Sequence, residues 1–159
     1  MNPESNLNMV SAPIKLIVVR PMCKIYYEVI KVSSMKQFDL IDLTERIEDV
    51  VRKSGIKNGL CLVFAPHATA AIIANEREYG LLQDILTFIK ELVQPGRSWK
   101  HNAIDDNAHA HIGSAVIGSE RAFPVIDGKL VRGTWQNIFL VEMDGPRSVR
   151  NVIIIVIGD

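Results

Sequence analysis

Sulfur is scarce in this chain. Cys23 and Cys61 are its only 2 cysteines, and no Cys-x-x-Cys pair is present. That spacing excludes thiolate zinc sites and dithiol redox motifs. Two reduced thiols fit a cytoplasmic setting. An excess of either charge is also missing, since Lys plus Arg and Asp plus Glu number 18 each. The chain therefore carries no electrostatic footprint for nonspecific nucleic-acid binding. No membrane span is expected, because Ile14 to Val19 is apolar but far shorter than the roughly 20 residues a spanning helix needs. Glu4 precedes that run and no basic stretch does, so no secretory signal is read there. A Walker A loop, a Gly-x-Gly-x-x-Gly turn and a Gly-x-Ser-x-Gly elbow are absent too, along with the chemistries they serve.

What remains is 159 residues, 48% of them hydrophobic and 23% charged. That fits a single soluble domain with a sizeable core. Residues 1–22 are polar and weakly patterned, so they are expected to form an N-terminal extension, partly disordered, ahead of a domain over 23–159. Lys24 to Lys31 reads as a strand. Asp42 and Glu45 read as an acidic capping box opening a helix that Gly55 ends. Leu60 to Ala65 is a continuous apolar run, expected as a strand covered on both faces, and Pro66 then delivers His67 to its rim. Ala70 to Ala74 reads as extended or buried chain. A second helix fits Leu81 to Val93, with Leu82, Ile85, Ile89, Leu92 and Val93 along one side. A short third helix, capped by Asn107, runs to Val116 or Ile117 and ends at Gly118. Strands at 122–126 and 129–131 flank Asp127-Gly128, a two-residue hairpin signal. Trp135 to Met143 and the β-branched run Val149 to Ile157 complete the sheet. The fold class is α+β: a mixed or antiparallel sheet core with two main helices and one short one.

The densest chemistry lies in His101-Asn-Ala-Ile-Asp-Asp-Asn-Ala-His-Ala-His111, which holds three of the 4 histidines. His67 is the fourth, and the two segments read as halves of one site. Imidazole and carboxylate bind divalent metals and move protons near neutral pH. On a helix, positions 109 and 111 lie about 200° apart, so only one faces the site. His111 is favoured, and His109 is expected at the periphery or a subunit contact. His67, His101 and His111 could give three nitrogens to a zinc-like ion; without metal they would serve as acids, bases or anion ligands. Asp106 is a candidate for orienting a histidine. Thr69, on the face of His67, could bond a ligand; Asn75 could fix a substrate's polar edge. Trp135 offers a stacking surface and Gln136 a donor and acceptor. Glu142, in an apolar strand, needs Arg147 or Arg150 as partner, and those arginines could alternatively take a phosphate.

These residues together resemble a known family. His67-x-Thr69 with Asn75-Glu76, His101-Asn102, Asp106-Asn107-Ala108-His109-Ala110-His111, Pro124-Val125 with Asp127-Gly128, and Gly133-Thr134-Trp135-Gln136 occur in the order seen in the YjbQ-like family, also called secondary thiamine-phosphate synthases. The likeness runs from about Tyr26 to Gly158. It implies a compact α+β domain that assembles as a homotrimer. It also implies an activity: joining hydroxymethylpyrimidine diphosphate to thiazole phosphate, with thiamine phosphate and pyrophosphate as products. The family's polar cluster carries over to His67, Thr69, Asn75, His101, Asp106, Asn107 and His111, then Trp135 and Gln136, with Glu142 and Arg150 nearby. Ala68 departs from the Thr or Ser common there, and Arg132 from a small or aliphatic residue. Departure of diphosphate needs a metal, Arg or Lys to neutralise charge, and Lys100, Arg132, Arg147 and Arg150 are at hand. Three histidines suit zinc better than the magnesium that diphosphate chemistry favours. That mismatch makes the synthesis a secondary activity in this reading. Two further functions fit the same residues: a metal-dependent hydrolase of an ester, lactone or phosphate, and a non-enzymatic trimer that binds a metal or an anionic metabolite. The expected ligand throughout is a small phosphorylated metabolite.

Overall fold

Alternating hydrophobicity builds two antiparallel sheets, stacked so that each side chain's parity decides its layer. The computed structural model describes residues 23–159, so the expected extension over 1–22 lies outside the described residues. The larger sheet has five strands in the order β1 (Lys24–Ser34), β8 (Arg147–Gly158), β3 (Gly59–Phe64), β5 (Glu120–Ile126) and β6 (Lys129–Leu130). The smaller sheet has three, in the order β2 (Asp39–Asp42), β7 (Gln136–Glu142) and β4 (Ala70–Glu76). The helices are α1 (Thr44–Ser54), α2 (Tyr79–Val93) and α3 (Ala108–Ile117), with a 3-10 turn at Lys100–Ala103. The fold is α+β, as its alternating and helical periodicities require.

Two cores result. The first lies between the sheets and is closed by Ile47, Val50 and Val51 of α1. The second lies between the small sheet and the pair α2 and α3. In β4, Ala70 and Ile72 enter the first core while Ala71 enters the second; in β7, Leu140 enters the first and Val141 the second. Each such fully buried aliphatic side chain contributes roughly 1.5–3 kcal/mol. The small sheet is thus sandwiched, and among the described residues the large sheet is covered on one face only.

Among the described residues, β3 lacks the cover on both faces that its apolar run leads one to expect. Cys61 and Val63 are buried, but Leu60 points outward and is exposed. The β-branched run near the C-terminus is interior to the sheet, with β1 on one side of β8 and β3 on the other. Leu43, not Asp42, is the N-cap of α1; Asp42 ends β2, and its Oδ1 accepts from the Thr44 amide at 2.9 Å and the Thr44 hydroxyl at 2.6 Å. No reciprocal bond from Glu45 accompanies it among the described residues. Gly55 ends α1 with φ 68°. Asp127 and Gly128 both take positive φ, 52° and 75°, the backbone a two-residue hairpin demands. In α2, Ile89 and Val93 are buried but Leu92 faces outward. Asn107 precedes α3 without capping it through its side chain. Asn102 substitutes, its Oδ1 accepting from the Ala108 amide at 3.2 Å.

Candidate functional site

The strand β3 ends at Phe64, and Ala65-Pro66-His67 then crosses from the large sheet toward β4. The same end of the stack receives α3. Between them lies a groove of about 530 Å³ lined by Phe64, Pro66, His67, His111, Ser114 and Glu120 among others. His101, on the 3-10 turn, meets His111 edge to face with ring centroids 4.8 Å apart. Two histidines ten positions apart in sequence are therefore neighbours, and His111 shares the groove with His67. Sequence reasoning missed Ser114, whose hydroxyl donates to the Ala70 carbonyl at 2.7 Å and ties α3 to β4. Its spacing of three residues from His111 on a helix was the available signal.

His67 is fixed by the backbone of β8. Its Nε2 lies 3.0 Å from both the amide nitrogen and the carbonyl oxygen of Asn151, so either tautomer finds a partner there. Burial holds its pKa below the ordinary histidine value, and the nearby Arg150 guanidinium adds to that depression. His67 is therefore mainly neutral at pH 7. Among the described residues, no group of three or more His, Cys, Asp or Glu side chains is placed to hold a metal ion. The expected three-histidine centre of His67, His101 and His111 is thus not assembled within one chain, because His67 turns Nε2 to β8.

Behind the groove, between the sheets, sits a buried ion pair. Glu142 is fully buried and Arg150 nearly so. Arg150 Nε donates to Glu142 Oε2 at 2.7 Å, and its Nη2 donates to Glu142 Oε1 and, at 3.0 Å, to the Thr69 hydroxyl. The other Glu142 partners are the Ser34 hydroxyl and the amides of Met143 and Asp144. Burial pushes the Glu142 carboxyl up, but the Arg150 guanidinium and those donors outweigh it and hold the pKa below the usual range. Of the two arginines expected to pair with Glu142, Arg150 does so; Arg147 pairs with Asp144 instead. Arg150 thus joins Glu142 to Thr69, and the structure places both expected ligand contacts in this buried network.

His109 is also corrected. It is buried, not peripheral, and its Nε2 lies 3.0 Å from the Met143 carbonyl oxygen. The helical phase explains why: His109 faces the second core, so His111 faces the groove. Asp106 is exposed and makes no hydrogen bond to a histidine among the described residues. Asn107 donates from Nδ2 to Asp105 at 3.0 Å and Asp144 at 3.3 Å, while its buried Oδ1 has no partner. Asn75, Trp135 and Gln136 do not join the groove. Glu76 pairs with Gln136 and Asn75 with Asn137, whereas Ala70, next to Thr69, pairs with Glu142. The two groups thus occupy opposite ends of the small sheet, about 17 Å apart at a strand's rise. At the far end Gln136 Oε1 accepts from the Gly133 amide at 2.7 Å and closes a turn. Arg132 there pairs with Glu48.

A two-sheet α+β domain with a histidine groove at one end of the stack is the class that fold and site define. The family whose model matches residues 28–159 is described as UPF0047 protein YjbQ-like, and the chain belongs to this family. A UPF0047 protein of Archaeoglobus fulgidus is 42% identical over 121 residues, covering 76% of this chain and 94% of the relative. A solved YbjQ-like protein from Sulfolobus solfataricus P2 is 61% identical with a TM-score of 0.86, covering 87% of this chain and 100% of that one. A solved protein from Aeropyrum pernix K1 is 44% identical with a TM-score of 0.81, covering 84% and 98%. No helix among the described residues is long and apolar enough to cross a membrane.

Proposed function

We propose that this chain is an enzyme whose histidine groove holds the phosphorylated end of a small metabolite, with thiamine-phosphate synthesis as one reaction. In that reaction the thiazole nitrogen attacks the pyrimidine methylene carbon. A C–N bond forms, the C–O bond to diphosphate breaks, and diphosphate leaves with the electron pair. The observation that carries the reading is that His67 and His111 line one groove, with the His101 ring 4.8 Å from that of His111. Neutral His67 is a hydrogen-bonding and proton-accepting group. His111, with His101 against it, would meet the departing diphosphate, because no Lys or Arg lines the groove. The single-chain histidines do not fit a three-ligand metal centre, so no step is routed through zinc or magnesium. The family resemblance supports a homotrimer and a role for the Trp135–Gln136 element.

The test is product formation from the two phosphorylated substrates by wild type and His111→Ala. The expected result is a loss of about 10²-fold or more, the usual contribution of a positioned acid or base, with unchanged assembly mass. Full activity in His111→Ala would refute the assignment. Chelator-sensitive hydrolysis with no second substrate would favour the hydrolase reading. Binding of the phosphorylated substrates without turnover would favour a binding module.

A further inference from the structure

We infer that a cavity between the C-terminus of α1 and the β5–β6 hairpin is a second binding site, which takes a phosphate monoester with a small apolar body. The inference is independent of the histidine groove. The strand β3 separates the two: it starts at Gly59, two residues after Lys57 of the cavity wall, and ends at Phe64 in the groove. The length of β3 puts its two ends roughly 17 Å apart. The cavity has a volume of about 500 Å³, within the roughly 300–1,000 Å³ of small-molecule sites.

The walls are held by the backbone. The Lys57 amide donates to Asp159 Oδ1 at 3.2 Å, and the Lys57 carbonyl accepts from the Gly128 amide at 2.9 Å. The Asn58 amide adds a second bond to the same Asp159 oxygen at 2.8 Å. The hairpin and the chain after α1 are therefore tied to each other through Lys57. Gly55 and Gly128 both line the cavity without a side chain, and a Cβ at Gly55 would meet nothing within 4 Å. Val51, Ile56 and Leu130 supply apolar lining, which suits the body of a ligand rather than a bare ion.

The charge of the ligand follows from which groups in the lining already have partners. Arg52 and Glu48 are committed, to Asp49 and Arg132 respectively. Lys57 and Lys129 also line the cavity, and neither makes an ion pair among the described residues. Lys57 Nζ stands over the hairpin turn, 3.5 Å from where a Gly128 Cβ would be. The last carbonyls of α1 do not compete for these ammonium groups. That of Arg52 accepts from the Gly55 amide at 3.3 Å, and that of Val51 from the Ser54 hydroxyl at 2.6 Å. Two uncommitted ammonium groups match the charge of about −2 on a phosphate monoester near neutral pH, and lysine binds phosphate as a point charge. Asp127, also in the lining, opposes an anion. Its φ of 52° is a requirement of the turn, one that Asn meets as well.

The experiment titrates the full chain with phenyl phosphate and follows backbone amide NMR shifts, with Gly55 and Gly128 reporting on the cavity and His67 and His111 on the groove. Saturable shifts are expected at Gly55 and Gly128. The double variant Lys57→Gln, Lys129→Gln, with native circular dichroism, should bind there about 10-fold more weakly or worse. Asp127→Asn should bind more tightly than wild type, which mere damage to the turn would not produce. His111→Ala should leave the shifts at Gly55 and Gly128 unchanged. Inorganic phosphate should bind more weakly than the ester, because it has no body for the apolar lining. No saturable shift at Gly55 and Gly128 would overturn the inference, as would undiminished affinity in the lysine variant or equal affinity for inorganic phosphate. Shifts confined to His67 and His111 would overturn it while leaving the reading of the groove intact.

Discussion

Replacing Arg150 with Met would leave the Glu142 carboxylate buried between the sheets without its counter-charge. The stem of the side chain is kept, so the loss is electrostatic. Glu142 would retain the Ser34 hydroxyl at 3.0 Å and the amides of Met143 at 3.1 Å and Asp144 at 2.9 Å. It would lose both guanidinium hydrogen bonds. Removing one partner of a buried pair costs about 3–5 kcal/mol, which for a domain of this size lowers the melting temperature by roughly 10–15 °C. The pH dependence has a definite sign. In wild type the Glu142 pKa is held low, burial being outweighed by Arg150 and the other donors. The pair's contribution is therefore present above the unfolded carboxyl value of about 4.3 and fades as pH falls through the folded value. In Arg150→Met burial dominates and the folded value rises above the unfolded one, so the variant loses stability as pH rises. The difference between the proteins should be largest near pH 7 and shrink toward pH 4. The assay is urea unfolding at several pH values and one protein concentration, since assembly shifts apparent stability. Replacing Glu142 with Leu in the same variant should recover much of the loss. A cost below about 1 kcal/mol at pH 7, or one that does not shrink on acidification, would refute the argument.

Two further outcomes follow from the same geometry. Cys23 is exposed and Cys61 buried, with burial pushing the Cys61 thiol up to about 12; a thiol reagent should label Cys23 in the native protein and Cys61 only after unfolding, and rapid native labelling of both would contradict the packing of β3. His67 should titrate below the ordinary histidine midpoint of about 6.5 in an NMR pH series. Because its folded value is lowered, stability is present above that midpoint and lost as pH falls. Added pyrophosphate should raise the midpoint, since an anion favours imidazolium; no movement would remove His67 from the anion site.

The parts of the fold visible in the sequence are those governed by short-range physics. Gly55 and Asp127-Gly128 were legible because positive φ restricts the residue choice. The three helices were legible from their 3.6-residue period. The strand β2 was not, because four residues, Asp39 to Asp42, carry too little pattern to tell strand from loop. The apolar run in β3 was read as covered on both faces because such runs usually are. Sequence alone does not distinguish a strand buried by its own chain from one whose outer face is left open.

The site divides along the same line. Helical phase separated His111 from His109, a local inference, and the structure places His111 in the groove as that phase required. What phase did not reveal is where the rejected residue goes: His109 enters the second core because Met143 offers a carbonyl oxygen there, a contact across 34 positions. The Glu142 partner was narrowed to two arginines but not chosen, since Arg147 and Arg150 differ only in which face of β8 they occupy relative to Glu142. The largest gap concerns Asn75, Trp135 and Gln136. Sequence order groups them with His67, yet the strand between Thr69 and Asn75 is a rigid spacer that holds them apart.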